Sequence, residues 1–233
     1  METLIKKIRE QKDLEVKELN VDEIIKDNET YSGFFEVSFL AKDLITLSKA
    51  TMRYAPSAIE IISPLQIKLT KKEFLEVLSA ISYYVRMLYD KFKVTFQVDL
   101  EDLPEVRELD EFELDEMRKE QAILMKFAFE AKGKDEEELK KNLLLLIQDP
   151  DLIIERVETI KTKESHGFEG LIGVRLFSTS FTSLINLILK GNPVAMEILE
   201  PEEITISARD LQNALNDLSG VFYDVSHMIL FSH

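Results

Sequence analysis

The chain contains no cysteine and no tryptophan, and only seven of its 233 residues are glycine. The absence of cysteine excludes disulfide bonds, thiolate catalysis and any zinc or iron–sulfur site that is built on cysteine. A chain without cysteine is also typical of a reducing compartment, and we therefore predict a cytoplasmic protein. The charged fraction is high, at 31%, and together with the scarcity of glycine it favours a thermophilic source.

Positive charge is scarce as well, because 29 lysine and arginine residues stand against 44 acidic residues, a formal net charge of −15. A chain this acidic is repelled by phosphate backbones and by anionic lipids unless its basic residues cluster. The densest clusters are 6–12 and the pair Lys71 and Lys72, and we interpret both as solvated helix faces. No apolar run approaches the roughly 18 residues that a membrane span requires. We predict neither a nucleic-acid partner nor a membrane.

Motifs that mark catalytic or cofactor sites are missing too. There is no Gly-x-Ser-x-Gly elbow and no glycine-rich loop that would cradle a phosphate. The three histidines, His166, His227 and His233, do not form a set of ligands at metal-binding spacing. We therefore predict no cofactor, no metal and no catalytic residue, and the protein is more readily explained as a non-enzyme.

The clearest positive signal is an internal repeat, in which residues 33–92 align without a gap to residues 170–229 at a spacing of 137 positions. Eleven of the 60 aligned pairs are identical, and six of these fall within the twelve pairs that begin at Pro56 and Pro193. Pro64 and Pro201 also align, in a chain with only six prolines. The period is too long for a solenoid, so we predict duplication of a domain or half-domain.

Each copy is predicted to run strand, strand, helix, strand, helix, strand. The alternation of Phe35, Val37 and Phe39 is typical of a half-buried strand, and the residue before proline is disfavoured in the α region, so a helix ends before Pro56 and before Pro193. The predicted strands are 14–21, 34–40, 58–69 with a break at Pro64, and 93–100, with 152–160, 171–177 and 227–232 among their counterparts; the predicted helices include 2–11, 43–54, 135–148 and 180–190.

The last helix of each copy opens with a predicted capping box, Thr70 with Glu73 and Ser207 with Asp210. Apolar residues then recur at the i, i+3, i+4, i+7 spacing of a core-facing helix in both copies. These positions are Phe74, Val77, Leu78, Ile81, Val85 and Leu88 in the first copy and Leu211, Ala214, Leu215, Leu218, Phe222 and Val225 in the second.

We predict an α+β protein made of two such units, each a mostly antiparallel sheet with helices on one face, related by pseudo-twofold symmetry. Residues 1–100 form the first repeat, 101–134 an acidic linker with a central connecting helix, and 135–233 the second repeat. The central helix is predicted over 113–131. Its apolar second half is expected to be buried between the units or against another subunit.

Two sets of residues are candidates for a functional site. Glu60 and Glu197 occupy the same position in both copies, so a pseudo-twofold arrangement would let the two carboxylates face each other around a ligand or act as an acid/base pair. The alternative is that each carboxylate points to solvent. The second set consists of aromatic and methionine side chains beyond the core stripe, which we interpret as an interface; its members are Tyr83, Tyr84, Met87, Phe127 and Phe129.

Three hypotheses for function follow. The first is a non-enzymatic scaffold that acts through self-association or a protein partner, because the copies retain fold-determining residues while their surfaces diverge. The second is a small-molecule-sensing module with its site between the repeats. The third is an enzyme that uses the Glu60 and Glu197 carboxylates.

Overall fold

The computed structural model describes residues 6, 8, 10, 11, 13–22, 25–27, 30–93, 102–162 and 167–230, without the side chains of 27, 30–32 and 226–230. It is an α+β structure with several antiparallel sheets. The chain divides into a smaller compact unit, Met1–Ala50, and a larger one, Thr51–His233. The division into segments 1–100, 101–134 and 135–233 follows the sequence repeat and stays a prediction.

The smaller unit is built on an antiparallel hairpin of β1 (Leu14–Val21) and β4 (Phe35–Ala41). Its register shifts between Val16 and Glu18, which marks a β-bulge at Lys17. Two short strands, β2 (Ile25–Asp27) and β3 (Thr30–Ser32), pair with each other between them. Helix α1 (Leu44–Tyr54) follows and continues into the larger unit.

The larger unit contains a four-stranded antiparallel sheet in the order β7-β8-β6-β9. A separate antiparallel ribbon joins β5 to β10. The bounds of these strands are β5 (Gln66–Thr70), β6 (Ile123–Gly133), β7 (Leu152–Lys161), β8 (Phe168–Ser178), β9 (Ala195–Glu200) and β10 (Glu203–Ser207).

The described residues contain five further helices. The two that follow the strands of the ribbon are the longest. The bounds of the five helices are α2 (Lys71–Phe92), α3 (Glu111–Lys119), α4 (Glu136–Leu146), α5 (Phe181–Gly191) and α6 (Ala208–Leu230). Helix α5 is apolar over most of its surface and is packed by α2 and α6. The rings of Phe74 and Phe181 lie 5.6 Å apart between α2 and α5. The predicted core stripes of α2 and α6 are buried, apart from the partly exposed Leu88.

The predicted central helix over 113–131 is wrong in its second half. Helix α3 ends at Lys119, Gln121 adopts a left-handed conformation, and the apolar run that follows is the long strand β6 between β8 and β9. Phe127 and Phe129 lie on this strand and are 1% and 2% exposed. Residues 122–125 are all buried, and such a short apolar run has no periodicity that separates a buried strand from a buried helix.

The two capping boxes have different outcomes. Thr70 and Glu73 form both reciprocal bonds at the start of α2, as predicted. In α6, the Asp210 amide donates to the Ser207 hydroxyl at 3.1 Å, but the Asp210 carboxylate accepts from two backbone amides at the start of α5. These are Phe181 N–H at 2.7 Å and Thr182 N–H at 3.1 Å. The second box is therefore half correct, and its carboxylate ties α6 to α5.

Other predicted strands also differ. Helix α6 continues to Leu230, where a strand over 227–232 was expected. The segment 58–62 is not a strand in the structure; instead, Ile59 N–H donates to Asn216 Oδ1 at 2.9 Å and Ile61 N–H donates to Gln212 Oε1 at 3.0 Å. The peptide bonds before Pro64 and Pro201 are both cis. The predicted strand over 93–100 lies almost wholly outside the described residues, as does most of the predicted helix over 2–11.

Candidate ligand site on the open face of the sheet

The four-stranded sheet has one face that is largely buried and one that is partly open. Met125, Phe127 and Phe129 of β6 are buried, whereas Lys126 and Glu130, at alternate positions, are exposed, as expected from the alternation of side chains along a strand. Part of the open face is covered by an apolar cluster in which α3 and its flanking residues pack onto the sheet. Its members are Leu109, Leu114, Met117, Ala122, Leu124, Ile153, Phe177 and Leu199.

Beside this cluster, the open face carries a cavity of about 300 Å³. This volume is at the lower end of the range for small-molecule sites. Strands β6, β7, β8 and β9 all contribute to its lining, so the positions of its side chains are set by the sheet register. The lining residues are Lys126, Phe127, Ala128, Arg156, Glu158, Gly173, Val174, Arg175, Ala195, Met196 and Glu197.

Three cationic side chains lie side by side in this cavity and are called here the basic row. Arg156 lies opposite Arg175 in the β7–β8 register, and Arg175 lies opposite Lys126 in the β6–β8 register. Glu197 lies opposite Lys126 on the edge strand β9. Like charges directly opposite each other destabilise a sheet, so the basic row has an energetic cost that its neighbours must offset.

Carboxylates surround the basic row and offset part of that repulsion. Arg156 donates to Glu108 at 2.9 Å and to Glu158 at 3.3 Å. Lys126 Nζ lies 4.0 Å from Glu197 Oε2. These side chains are half or more exposed, and exposed ion pairs contribute little to stability. An anionic ligand would therefore compete with weak partners for Arg156 and Lys126.

Arg175 has the closest carboxylate of the three cations but no hydrogen bond to it. Its Nε lies 2.6 Å from Glu155 Oε2, but neither of these buried atoms has a hydrogen-bond partner, so the contact is an ion pair without hydrogen-bond geometry. None of the guanidinium donors forms a hydrogen bond with any residue that the structure describes. A guanidinium carries five donors in a planar fork that matches two oxygens of a carboxylate or phosphate.

In the next row of the sheet, the three adjacent residues on β8, β6 and β9 are small, and they leave the space above them empty. Gly173 lies opposite Ala128, and Ala128 lies opposite Ala195. A Cβ added at Gly173 would find only one atom within 4 Å, the Glu158 carbonyl oxygen at 3.8 Å. The backbone therefore does not require glycine at this position, and a larger side chain there would extend into the cavity.

The residues selected from the sequence have different surroundings in the structure. Glu197 lines the cavity beside Lys126, whereas Glu60 is exposed on the segment between α1 and β5 and is absent from the cavity lining. Tyr83 and Met87 are 61% and 52% exposed on α2. The rings of Tyr83 and Tyr84 lie 5.6 Å apart. Their interface role stays a prediction.

The basic row itself was missed by the sequence analysis. Its members are far apart in the chain, and only the strand register brings them together. A weak signal existed, since Lys126 and Arg175 each interrupt an apolar strand sequence. His166 and His233 lie outside the described residues, as does the side chain of His227. Within the described part of the chain, no group of three or more His, Asp or Glu side chains is placed to hold a metal ion.

The helix that covers part of the open face begins with a strong ion pair. Arg107 donates to both carboxylate oxygens of Glu113, at 2.7 and 2.9 Å, and Glu113 also accepts from the Asp110 amide in the α3 capping box. The hydrogen bonds from Arg107, followed by the one from Asp110, lower the pKa of Glu113 from 4.5 to about 2.

This lowered pKa predicts how the stability depends on pH. A carboxyl group with a depressed folded-state pKa contributes stability above its unfolded pKa, and this contribution is lost as the pH falls through the folded pKa. We expect Glu113→Gln to lower the denaturant midpoint at neutral pH, and the gap from wild type to close between about pH 4.5 and about pH 2. A series of urea unfolding curves measures this, with Glu116→Gln on the same helix as the control. A gap that stays constant across that range would contradict the assignment.

Comparison with known proteins identifies relatives of the whole chain. The model of the MJ0538 family matches residues 1–232. A protein of Methanocaldococcus jannaschii, named uncharacterized protein MJ0538, is 32% identical over 224 residues, which cover 90% of this chain and 84% of that protein. No solved structure matches. Across the residues that the structure describes, no helix combines the length and the apolar character that a membrane crossing requires.

Proposed function

The chain belongs to the MJ0538 family, and from its structure we propose that it is an internally duplicated binding protein that holds a small anionic ligand on the open face of its four-stranded sheet. The observation that carries this proposal is the basic row above an unfilled floor of small residues. The proposal retains the binding-module hypothesis from the sequence but moves the site: Glu197 borders it and Glu60 does not.

Matching element boundaries support the duplication. Helix α1 (Leu44–Tyr54) and helix α5 (Phe181–Gly191) begin and end 137 positions apart, and α2 begins 137 positions before α6. The hairpins β1–β4 and β7–β8 also have a β-bulge at the same place. The extra residue in the first hairpin is Lys17, opposite Phe39 and Ser38. In the second hairpin it is Glu155, opposite their counterparts Leu176 and Arg175. Bulges at the same place are inherited features of related sheets.

Pairing between the copies supports a pseudo-twofold relation within the larger unit. Strands β5 and β10 pair antiparallel with Lys68 opposite Thr205, its own counterpart in the repeat. The helices make reciprocal contacts: the Ser82 hydroxyl donates to the Pro193 carbonyl at 3.1 Å, and the Ser219 hydroxyl donates to the Pro56 carbonyl at 2.6 Å. Such self-complementary contacts are the signature of an isologous interface, here within one chain.

The differences between the copies support a functional role for the basic row. The first copy has Ser38 where the second has Arg175, and across the shared bulge it has Glu18 where the second has Arg156. Gly173 corresponds to Glu36. The hairpin therefore forms without the cations and without the glycine, so the fold does not require them.

The chemistry of the row favours a compact ligand with two or more acidic oxygens, such as a phosphate or a polycarboxylate. Arg175 offers guanidinium donors that form no hydrogen bond with the described residues, although its Nε is ion-paired with Glu155, and Arg156 and Lys126 provide charge on either side. The net charge of −15 opposes the approach of any anion over long distances. Affinity must therefore come from the local donors, and it should fall when the salt concentration rises.

Titration calorimetry with inorganic phosphate, pyrophosphate and citrate tests this proposal. We expect at least one of these anions to bind to the wild-type protein, and Arg175→Gln to weaken that binding by about tenfold or more, because a hydrogen bond to a charged group contributes about 1.5–3 kcal/mol. Gly173→Leu should abolish binding by filling the cavity without lowering the melting temperature. Arg209→Gln, which removes an exposed arginine on α6, is the matched control and should bind normally.

Removal of the carboxylate at the edge of the cavity distinguishes an anion from a cation or a zwitterion. Glu197→Gln frees Lys126 from its nearest acidic neighbour, so the affinity for an anion should rise about twofold to fivefold, in line with the energy of an exposed ion pair. Glu60→Gln should have no effect. The absence of binding by any of the three anions, or equal binding by Gly173→Leu, would contradict the proposal.

A scaffold that acts through self-association is the second candidate function. The observation in its favour is an edge of β4, in the smaller unit, with which no strand of the described residues pairs, and it is independent of the cavity. The enzyme hypothesis based on a Glu60 and Glu197 pair gains no support, because Glu60 does not line the cavity that Glu197 borders.

A further inference from the structure

Strand β4 has one paired edge and one edge that no strand of the described residues pairs with. Asp22 N–H donates to the Phe34 carbonyl and Lys42 N–H donates to the Asp13 carbonyl. These bonds show that the backbone groups of the even-numbered residues 34–42 point towards β1, because the direction of hydrogen bonding alternates along a strand. The backbone groups of Phe35, Val37, Phe39 and Ala41 therefore point away from β1, along the unpaired edge.

The two edges of this hairpin differ in how well they are protected. The edge formed by β1 carries Glu15, Lys17 and Glu18 and contains the β-bulge. Both features discourage pairing with another chain. Strand β4 carries one charged residue, Glu36, and contains no proline. An unprotected strand edge of this kind is a template for a further strand.

The second copy indicates what such an edge accommodates. The strand that corresponds to β4 is β8, which pairs with β7 on one side and with β6 on the other along eleven residues. The hairpin of the first copy has the same bulge as that of the second, so its free edge has the geometry of an edge that does accept an antiparallel strand.

We propose that the free edge of β4 pairs antiparallel with β4 of a second copy of this chain, with Phe39 opposite its own counterpart. This register joins the outward-facing backbone groups of the two strands, because it pairs odd-numbered residues with odd-numbered residues. It also places Glu36 of each copy opposite Lys42 of the other. The contact is isologous and closes on itself as a dimer.

Charge complementarity selects this register and this occupant. Glu36 and Lys42 are both exposed, and they face each other only when Phe39 is central. They then form a pair whose backbones are not directly hydrogen-bonded, in which opposing side chains approach most closely. The twofold axis of the dimer generates this ion pair twice, once from the Glu36 of each copy.

Light scattering on the full-length chain across a dilution series tests the proposal. We expect the wild-type protein to be a dimer that dissociates on dilution. In Lys42→Glu, Glu36 of each copy faces a glutamate of the other copy. This repulsion should raise the dimer dissociation constant by about tenfold. The double variant Glu36→Lys with Lys42→Glu restores opposite charges and should recover the wild-type constant. Lys49→Glu makes the same change in net charge at an exposed site on α1 and should leave the constant unchanged.

Three outcomes would overturn the proposal. A wild-type protein that is monomeric at every concentration has no such dimer. In that case, slow hydrogen exchange at Val37 and Phe39 would show that the edge is covered from within the same chain. A dimer that persists unchanged in Lys42→Glu is held by another surface, such as the exposed Tyr83 and Met87 on α2. Failure of the double variant to recover the dimer would reject this register.

Discussion

Replacing Phe127 by alanine is expected to lower the free energy of unfolding by about 4 kcal/mol, in the range found when buried phenylalanines are truncated. Phe127 is 1% exposed on the strand β6, which pairs with β8 on one side and with β9 on the other. Its ring stacks with that of Phe129 at a centroid distance of 6.3 Å. The truncation would leave a cavity in the middle of the sheet that close-packed neighbours cannot fill.

Tyr83→Ala is the control for this prediction, because the sequence analysis assigned both residues to one interface. Tyr83 is 61% exposed, and its truncation should change the free energy of unfolding by no more than about 0.5 kcal/mol. Urea unfolding monitored by circular dichroism measures both variants. Equal, small effects would show that Phe127 is not a core residue and would contradict its position on a central strand.

Replacing Gly170 by alanine is expected to lower the free energy of unfolding by about 3 kcal/mol, because the added methyl group meets backbone. A Cβ at Gly170 would lie 2.1 Å from the carbonyl oxygen of Ile160 on the neighbouring strand β7. That oxygen is part of the backbone and cannot rotate away as a side chain would. The β7–β8 pairing would have to shift locally.

Gly173→Ala, three residues along the same strand, is the matched comparison. Its Cβ would lie 3.8 Å from the nearest atom, the carbonyl oxygen of Glu158. Replacement of glycine by alanine at an unstrained position stabilises a protein by about 0.4–1 kcal/mol. Thermal melting curves of the two variants should therefore shift in opposite directions. A similar loss of stability in both would show that β8 packs differently against its neighbours.

Most elements of the fold could be predicted where a local pattern and a boundary signal agree. Strand β1 has the predicted bounds, Leu14–Val21, and α1 begins within one residue of the prediction and ends at Tyr54, as predicted, before Pro56. Helix α2 follows the predicted capping box. In these cases, periodicity supplied the type of element, and a proline or a capping residue supplied its end.

Two of the failures have a common physical cause, namely tertiary contacts that a local pattern does not contain. The first residues of strand β6, Ile123–Met125, are buried on both faces because α3 covers this end of the open face, so this stretch lacks a period. Asp210 was assigned to cap its own helix, but the amides of Phe181 and Thr182 are within its reach in the folded chain. No boundary signal in the sequence separates α6 from the strand expected over 227–232.

The candidate site lies beyond local prediction for a similar reason. Lys126, Arg156 and Arg175 belong to three strands, and their proximity depends on a strand order in which β6 is inserted between β8 and β9. Glu197 could be singled out from the repeat alone, but its neighbour Lys126 lies outside the aligned copies. The predicted repeat draws attention to positions that the two aligned segments share, whereas Arg156 and Arg175 lie where the segments differ.

The most direct test of the anion-binding proposal is a pyrophosphate titration of the wild-type protein followed by amide chemical shifts. The proposal predicts saturable shifts that are largest at Lys126, Ala128, Gly173, Arg175 and Ala195, and the loss of these shifts in Gly173→Leu. Shifts that concentrate in the first copy, or that persist unchanged in Gly173→Leu, would contradict a ligand site on this face of the sheet.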